Sequence, residues 1–381
     1  MENSAPNLGR WPARTLAALF FAVLLLSLLD QCFHIDPTAP PSENRLLAEF
    51  PPMSGGFGGV KKFLAAWEIY YNDHFGGRKV LVMWHNKLKW SLFKDKAARN
   101  TLVGADGWMY FSAAQMVEHF RGALQFTAPE LDAWQRLLEH RRDWLAKHGI
   151  KYIFVLAPDK QSIYPENLPA WLRPLAGRTK ADQFIDHMRA HSTVEVLDLR
   201  PVMLAAKKSA PVYQKTDTHW NEFGAFIAAQ EVTSALAKNQ LPELAPLSLE
   251  DFDCTNRLAA GGDLARSLGV SLAESNAFFL TPRPALPALK VFIPSGIHIK
   301  EMATAANPQG RGRAMIYHDS FGRYWVPFLG YPFGEADFFW EYLFDARRIE
   351  QERPAVVVNE MLERFFNVTD PNELSALDAL P

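Results

Sequence analysis

The sequence predicts an α/β fold in which helices cover both faces of a doubly wound parallel sheet. Short apolar runs rich in β-branched and aromatic residues, at positions 152–158 and 194–199, follow amphipathic helical segments. The continuous apolar run at 152–158 is typical of a strand that is buried on both faces. The alternation of helix and strand favours parallel strands joined by helical crossovers.

The composition is that of a large globular protein. At 381 residues the chain can bury a substantial core in one or two domains. Its 40 Lys and Arg against 42 Asp and Glu give a formal net charge of −2, which provides no overall basic field for a polynucleotide. The two cysteines, Cys32 and Cys254, predict neither a disulfide framework nor a cysteine-based metal site. A nucleic-acid partner is therefore not expected.

The N-terminus predicts a membrane anchor. Arg10 and Arg14 precede an uncharged run at 15–29, which in length lies between a signal-peptide core and a full membrane span. No small-residue cleavage site follows the run, and the basic residues before it place the N-terminus in the cytoplasm. We therefore expect residues 1–34 to form a single-pass signal anchor. A cleaved signal peptide and a buried core helix are the alternatives.

The rest of the chain divides by composition. Residues 35–59 are rich in Pro, Ser and Gly and predict an extended tether. Residues 60–370 are predicted to form one domain. Within it, residues 239–312 are rich in Pro and poor in periodicity, so we expect an irregular insertion there. Residues 371–381 are a C-terminal tail.

The elements of the domain follow in order along the chain. Aromatic residues recur at helical spacing in 60–94, and Asp106-Gly107 between apolar runs indicates a hairpin. Thr127 and Glu130 have the spacing of a capping box. After the strand at 152–158 we expect a helix at 180–190, a strand at 194–199, a helix at 224–238, a strand at 314–317, and a strand at 355–358 with a final helix behind it.

Two polar motifs are candidates for a site, because one directly follows a predicted strand and the other follows a predicted strand by a loop, and open α/β sheets place their sites at strand ends. In HDSFG, Ser320 follows the strand at 314–317, and Gly322 lets the backbone turn tightly and expose the hydroxyl near backbone N–H groups. In TDTHWN, Asp217 and His219 supply the base and the orienting carboxylate that a serine nucleophile needs. A helix-capping serine and a plain loop hydrogen bond are the structural alternatives.

Together the motifs resemble the alginate O-acetyltransferase family, a branch of the SGNH hydrolase-like proteins. The resemblance runs from about residue 72 to residue 366 and rests on TDTHWN followed by GA, HDSFG about a hundred residues later, NDHFGGR, LVGADGWMYF, APDKQSIYPENLP and PAVVVNEMLERFF. It implies an SGNH-like sheet with Asp and His ahead of the serine. It further implies an acetyl-enzyme mechanism with Ser320 as nucleophile, His219 as base and then acid, and Asp217 as orienter.

The resemblance also implies partners. A membrane-bound O-acyltransferase would deliver the acetyl group, so no cofactor of the chain's own is expected, and a polysaccharide would accept it. His318 stands where SGNH enzymes usually have the Gly of Gly-Asp-Ser, which leaves the oxyanion geometry open. Asn359 is a candidate oxyanion donor by residue type. The candidate substrate-binding residues, each with an ordinary structural alternative, are Lys160, Tyr164, Trp220 and Arg323. Lys160 and Tyr164 follow the strand at 152–158 and are expected at the rim of the site.

Four functions remain open at the level of sequence. The first is an O-acetyltransferase of the bacterial inner membrane that acts in the periplasm on an exopolysaccharide or a cell-surface polysaccharide. The second is a carbohydrate esterase with the same triad and water as acceptor. The third is a metal-dependent hydrolase with Asp217, His219, His318 and Asp319 as ligands. The fourth is a binding or scaffold protein with a degenerate site.

Overall fold

The structure is a computed structural model that describes residues 10–33, 48–52, 57–77, 81, 84, 88, 97–98, 100–173, 177–268, 270–293, 302–378 and 380. The chain divides into two compact units. One is Met1–Asp95 with Arg266–Val270, and the other is Lys96–Ala265 with Ser271–Pro381.

The strands, numbered in chain order, are β1 (Ala97–Ala98), β2 (Thr101–Val103), β3 (Met109–Phe111), β4 (Lys151–Ala157), β5 (Val196–Asp198), β6 (Phe252–Asn256), β7 (Ala259–Ala260), β8 (Ala273–Glu274), β9 (Phe278–Pro282), β10 (Lys290–Phe292), β11 (Met302–Ala306), β12 (Arg313–Tyr317), β13 (Glu335–Phe339) and β14 (Val356–Leu362). The helices are α1 (Arg10–Phe33), α2 (Phe57–His74), α3 (Met116–Phe120), α4 (Ala128–Lys147), α5 (Lys160–Ile163), α6 (Lys180–His191), α7 (Arg200–Ala206), α8 (Glu222–Asn239), α9 (Asp263–Ser267), α10 (Val326–Leu329), α11 (Ala346–Glu352) and α12 (Pro371–Leu377).

The first unit contains α1 and α2. Helix α1 includes the apolar run of the predicted anchor. Over the residues that the structure describes, no helix combines the length and the apolar character that crossing a membrane requires. The anchor stays a prediction, and most of the predicted tether, at 35–47 and 53–56, lies outside the described residues. In α2, Trp67 stacks on Tyr71 with ring centroids 5.3 Å apart, so the aromatic spacing predicted as helical is confirmed up to His74.

The second unit is organised around a seven-stranded sheet with the order β10-β11-β13-β12-β14-β4-β5. The five strands from β13 to β5 are parallel. The prediction of a wholly parallel sheet is wrong at the other edge, where β10 and β11 pair antiparallel. These two strands are short and partly exposed, so they lack the continuous apolar run by which buried strands are recognised.

Helices cover both faces of this sheet, as predicted. On β4, Ile153 and Val155 pack with Phe226 of α8 on one face. Phe154 between them packs on the other face with Trp134 of α4 and with α6. Alternate residues of one strand thus serve two cores, which explains why the run at 152–158 is apolar throughout.

Strand β14 is longer than predicted. It pairs with β4 from Val356 to Leu362 and is followed by a 3₁₀ turn, Glu363–Asn367, instead of the predicted helix. The polar residues Asn359 and Glu360 are fully buried within the strand. Because Asn359 and Glu360 are polar, the sequence pattern did not indicate that the buried strand continues to Leu362.

Two local predictions are confirmed. The strands β2 and β3 form an antiparallel hairpin around Asp106-Gly107. Helix α4 begins with a capping box, in which the amide of Thr127 donates to Glu130 over 2.7 Å.

The region predicted as an irregular insertion contains the short sheets β6-β9 and β7-β8. Residues 252–265 and 271–282 are called the lobe below.

Candidate active site

The imidazole of His219 bridges Asp217 and Ser320. Its Nδ1 lies 2.7 Å from Oδ1 of Asp217, and its Nε2 lies 2.8 Å from Oγ of Ser320. Both distances are those of hydrogen bonds. The three residues that the sequence predicted as catalytic therefore meet in one place, in the order that a serine nucleophile with an oriented base requires.

Ser320 lies in the turn that follows the central strand β12. The amide of Phe321 donates to Oδ1 of Asp319 over 2.8 Å, which closes the turn. A Cβ on Gly322 would lie 2.3 Å from Cβ of His318. Because nothing larger than hydrogen fits there, the glycine is required where the sequence predicted a tight turn.

The loop with Asp217 and His219 is closed at its ends by a bridge between Tyr213 and Trp220. Asp217 is largely buried, and its Oδ1 also accepts the amide of His219 over 3.1 Å. Burial alone would raise the pKa of Asp217, but the hydrogen bond and charge of His219 hold that pKa well below its usual range. Asp217 is therefore an ionised partner for the imidazole.

The neighbours in TDTHWN have structural roles. Thr216 donates its hydroxyl to Glu274 over 2.6 Å. Trp220 is fully buried against Phe321, at a centroid distance of 4.9 Å. Of its two predicted roles, it therefore has the core-packing role and cannot stack on a substrate. Asn221 accepts the amide of Gly224 over 2.9 Å and caps α8.

His318 and Asp319 make their contacts elsewhere. His318 is buried with Nδ1 against the carbonyl of Asp319, and burial lowers its pKa to about 4. Asp319 accepts the hydroxyl of Tyr342 over 2.9 Å and the amide of Leu362 over 3.0 Å. The four ligands of the metal-hydrolase hypothesis therefore do not converge.

Among the described residues, Asp217, His219 and Asp263 have possible metal-ligand atoms within 4.8 Å of one another. Both ring nitrogens of His219 already face Asp217 and Ser320. The arrangement thus fits an oriented base better than a metal ligand.

Lys160 does not lie at the rim of the site as predicted. Only 2% of it is exposed, and its ammonium donates to the carbonyl oxygens of Met109 over 2.8 Å, of Lys215 over 3.4 Å and of Asp217. Burial lowers its pKa to about 8. A substrate contact is incompatible with this position. Lys160 instead stabilises the backbone at Asp217 by a hydrogen bond to its carbonyl oxygen.

Two further candidates have clear positions. Tyr164 is buried, and its hydroxyl accepts the amide of Val212 over 3.0 Å, which is a packing role. Oδ1 of Asn359 accepts from Arg141 over 2.9 Å and from Tyr152 over 3.1 Å. These contacts lie on the α4 side of the sheet and do not support an oxyanion role.

Arg323 remains accessible. It is exposed in the turn after Ser320, with its guanidinium 5.3 Å from the ring centre of Tyr324. It makes no ion pair with any residue that the structure describes.

The sequence reasoning missed two residues of the lobe. Oε2 of Glu274 accepts the amide of Thr216 over 2.7 Å, and its Oε1 accepts the amide of Lys215 over 3.0 Å. The amide of Asp263 donates to Oδ2 of Asp217 over 2.8 Å. The only signal was the Gly-Gly-Asp run at 261–263, in a region without periodicity.

Known proteins resemble this chain in sequence. The family model "SGNH hydrolase-like domain, acetyltransferase AlgX" matches residues 101–280, which contain Asp217 and His219 and end before Ser320. "Probable alginate O-acetylase AlgJ" of Pseudomonas syringae pv. tomato is 28% identical over 225 residues, which are 58% of this chain and 54% of that protein. The chain spans about half the length of the curated relatives it matches.

Solved structures resemble it in fold. Bacillus cereus PatB1 with a sulfonyl adduct aligns over 74% of this chain and 99% of its own, with a TM-score of 0.55 and 15% identity. A DHHW family protein from Eubacterium siraeum aligns over 75% of this chain and 98% of its own, with a TM-score of 0.52 and 16% identity. At these identities the likeness establishes a common α/β fold alone.

Proposed function

Because the chain is related to the AlgX/AlgJ family of SGNH hydrolase-like acetyltransferases, we propose that it is an O-acetyltransferase that modifies a polysaccharide. The observation that supports the proposal most strongly is the bridge from Asp217 through His219 to Ser320, with distances of 2.7 and 2.8 Å. Fold likeness alone would not distinguish an enzyme from a binding protein, whereas this geometry has a definite chemical use.

In the first half-reaction Ser320 takes the acetyl group. Nε2 of His219 removes the proton from Oγ as Oγ attacks the acetyl carbonyl of a donor ester. The carbon–oxygen bond to the donor breaks, the donor oxygen takes the proton from His219, and acetyl-Ser320 remains. Asp217 fixes the tautomer and stabilises the imidazolium while the proton is on the ring.

In the second half-reaction a sugar hydroxyl takes the acetyl group. His219 removes the hydroxyl proton as its oxygen attacks the acetyl carbonyl. The new ester forms, the bond to Oγ breaks, and Ser320 recovers the proton through His219. Water in place of the sugar would give an esterase, so exclusion of water decides between the two outcomes.

The turn at Ser320 supplies one candidate oxyanion donor. The amide of Phe321 is occupied by Oδ1 of Asp319. The amide of Ser320 has no hydrogen-bond partner within the described part of the chain, and we include it as a donor to the oxyanion.

Arg323 is the substrate contact of the proposal. Its guanidinium is exposed three residues after Ser320, and a guanidinium suits the carboxylate of a uronic acid. The acceptor would then be an anionic polysaccharide.

The location and the donor also belong to the proposal. The basic residues before the apolar run at 15–29 favour an uncleaved anchor with the catalytic unit outside the cytoplasmic membrane. Activated acetyl donors are cytoplasmic, so a membrane-bound O-acyltransferase would hand the group across.

A transfer assay on the detergent-purified full chain tests the proposal. An activated acetyl ester is supplied with and without alginate oligosaccharides, and mass spectrometry of the sugars is the readout. We expect acetylated oligosaccharide with the unmodified chain and none with Ser320→Ala. Ester hydrolysis that depends on Ser320 but never yields acetylated sugar, with alginate or with neutral oligosaccharides, would favour the esterase.

A further inference from the structure

A second carboxylate faces the imidazole of His219 from the lobe. Oδ2 of Asp263 lies 3.8 Å from Nδ1 of His219. Its other oxygen accepts the amide of Thr218 over 2.7 Å, and its own amide donates to Asp217 over 2.8 Å. Asp263 is therefore held against the loop by Thr218 and Asp217, with Oδ2 toward the ring.

The backbone next to Asp263 packs directly on the catalytic loop. A Cβ on Gly262 would lie 2.2 Å from Cβ of Asp217, so only glycine permits this approach. The amide of Gly262 also donates to the hydroxyl of Thr216 over 2.9 Å. The position of Asp263 thus results from a specific close contact and not from a surface encounter.

The carboxylates and the ammonium near the loop lie on different sides of it. Asp217 and Asp263 both face the ring of His219. The ammonium of Lys160 lies on the backbone side, where it donates to the carbonyl oxygen of Asp217. The negative charges of Asp217, Asp263 and Glu274 act against the lowering of its pKa by burial. The negative charges at the ring therefore come from two separate segments of the chain.

The turn after β12 completes the surroundings of the ring. It contributes the hydroxyl of Ser320, the ring of Phe321 at 4.9 Å and the ring of Tyr324 at 5.4 Å between centroids. Burial and the charge of Asp217 raise the pKa of Asp263 above its usual range. This direction is the one expected of two carboxylates that share one cation.

We propose that Asp263 is a positioning residue that acts with Asp217 to orient His219 and to stabilise its imidazolium during acetyl transfer. The inference rests on the proposed function. A carboxylate near 4 Å from a ring nitrogen interacts with the imidazolium even without a direct hydrogen bond. The lobe therefore contributes to the chemistry of the site.

The test compares Asp263→Asn with the unmodified full chain. Asn keeps an oxygen acceptor for the amide of Thr218 but removes the charge. The rate at which a fluorophosphonate labels Ser320 is measured across the pH range in which histidine titrates. Because the imidazolium loses a stabilising charge, we expect the acid limb of the profile to move to lower pH by about 0.5–1 unit.

Two controls make the result specific. Asp263→Glu keeps the charge and should keep the acid limb in place, even if labelling is slower. Asp253→Asn removes an exposed carboxylate of the same lobe that pairs with Arg283, and it should leave the profile unchanged. If Asp263→Asn does not fold, Asp263→Ser replaces it, since serine also offers an oxygen to Thr218.

The outcomes separate the inference from the proposed function. If Ser320 of the unmodified chain is not labelled at any pH, the proposed function fails. If Ser320 is labelled and the acid limb of folded Asp263→Asn coincides with that of the unmodified chain, the inference alone is overturned.

Discussion

Nε2 of His219 lies 2.8 Å from the hydroxyl oxygen of Ser320, although 101 residues separate the two along the chain. The contact exists because the loop between α7 and α8 meets the turn after β12. We therefore expect His219→Ala to lower the rate of fluorophosphonate labelling of Ser320 by roughly a thousandfold or more, since the serine loses its base. Circular dichroism checks that the variant is folded. Labelling at an undiminished rate would show that another group removes the proton.

Lys160 is predicted to act on activity through the backbone of Asp217. Lys160→Met removes the ammonium donor from the carbonyl oxygens of Met109, Lys215 and Asp217, of which that of Lys215 keeps the amide of Met109. The substitution should cost about 1–3 kcal/mol of unfolding free energy. Because Asp217 then loses its support, we expect acetyl transfer to fall roughly tenfold beyond the effect of stability. Urea unfolding and initial rates are the measurements. The matched control is Lys151→Met on the exposed start of β4, which should change neither.

The burial of His318 predicts sensitivity to acid. Its pKa is lowered from 6.5 to about 4 by burial, so between these values the unfolded chain binds a proton that the folded protein does not. The stabilising contribution is present above pH 6.5 and is lost as pH falls to about 4, by roughly 3 kcal/mol in full. We expect His318→Gln to flatten this slope in urea unfolding. The exposed His140→Gln should keep the slope, and equal slopes for all three proteins would contradict the prediction.

The C-terminal segment is predicted to be essential for stability. Arg141 and Asp378 form a 2.7 Å ion pair in which both side chains are 1% exposed. Asp378→Ala leaves the guanidinium buried with fewer partners and should cost about 3–5 kcal/mol. Asp143→Ala breaks the exposed pair with Arg142 and should cost less than about 1 kcal/mol. Urea midpoints compare the two, and similar values would argue against a buried pair.

Arg323 is predicted to select for anionic acceptors. Arg323→Gln should raise KM for alginate oligosaccharides about tenfold, which corresponds to one charge-assisted contact. KM for a neutral oligosaccharide should not change. The control is Arg189→Gln, at an exposed side chain of α6. A parallel rise for both acceptors would show that Arg323 shapes the turn at Ser320 instead of recognising charge.

The main features of the site could be predicted because Ser320 directly follows the buried strand β12, and because Asp217 and His219 stand together in one loop. Asp217, His219 and Ser320 combine residue types that one chemistry needs, and the apolar runs before them locate the sheet edge. Asp263 and Glu274 could not be found in this way, because no periodicity marks the lobe. The position of Asp263 depends on the close approach of Gly262 to Asp217, which no sequence pattern indicates.

Other differences have a common physical cause, which is burial of polar groups. Lys160 was expected at the rim because it follows the strand at 152–158, yet three carbonyl oxygens accept hydrogen bonds from its ammonium inside the protein. The strand was predicted to end at residue 358 because Asn359 and Glu360 are polar, yet both are buried in β14. Sequence patterns show polarity, but they do not show which polar groups find internal partners.

Direct detection of acetyl-Ser320 tests the central claim. The full chain is mixed with an activated acetyl ester, quenched in acid, digested and analysed by peptide mass spectrometry. We predict an acetyl group on Ser320 that disappears when an acceptor oligosaccharide is added before the quench and is absent from His219→Ala. Acetylated sugar that forms with no acetyl group ever found on Ser320, or with the group on another residue, would contradict the proposed mechanism.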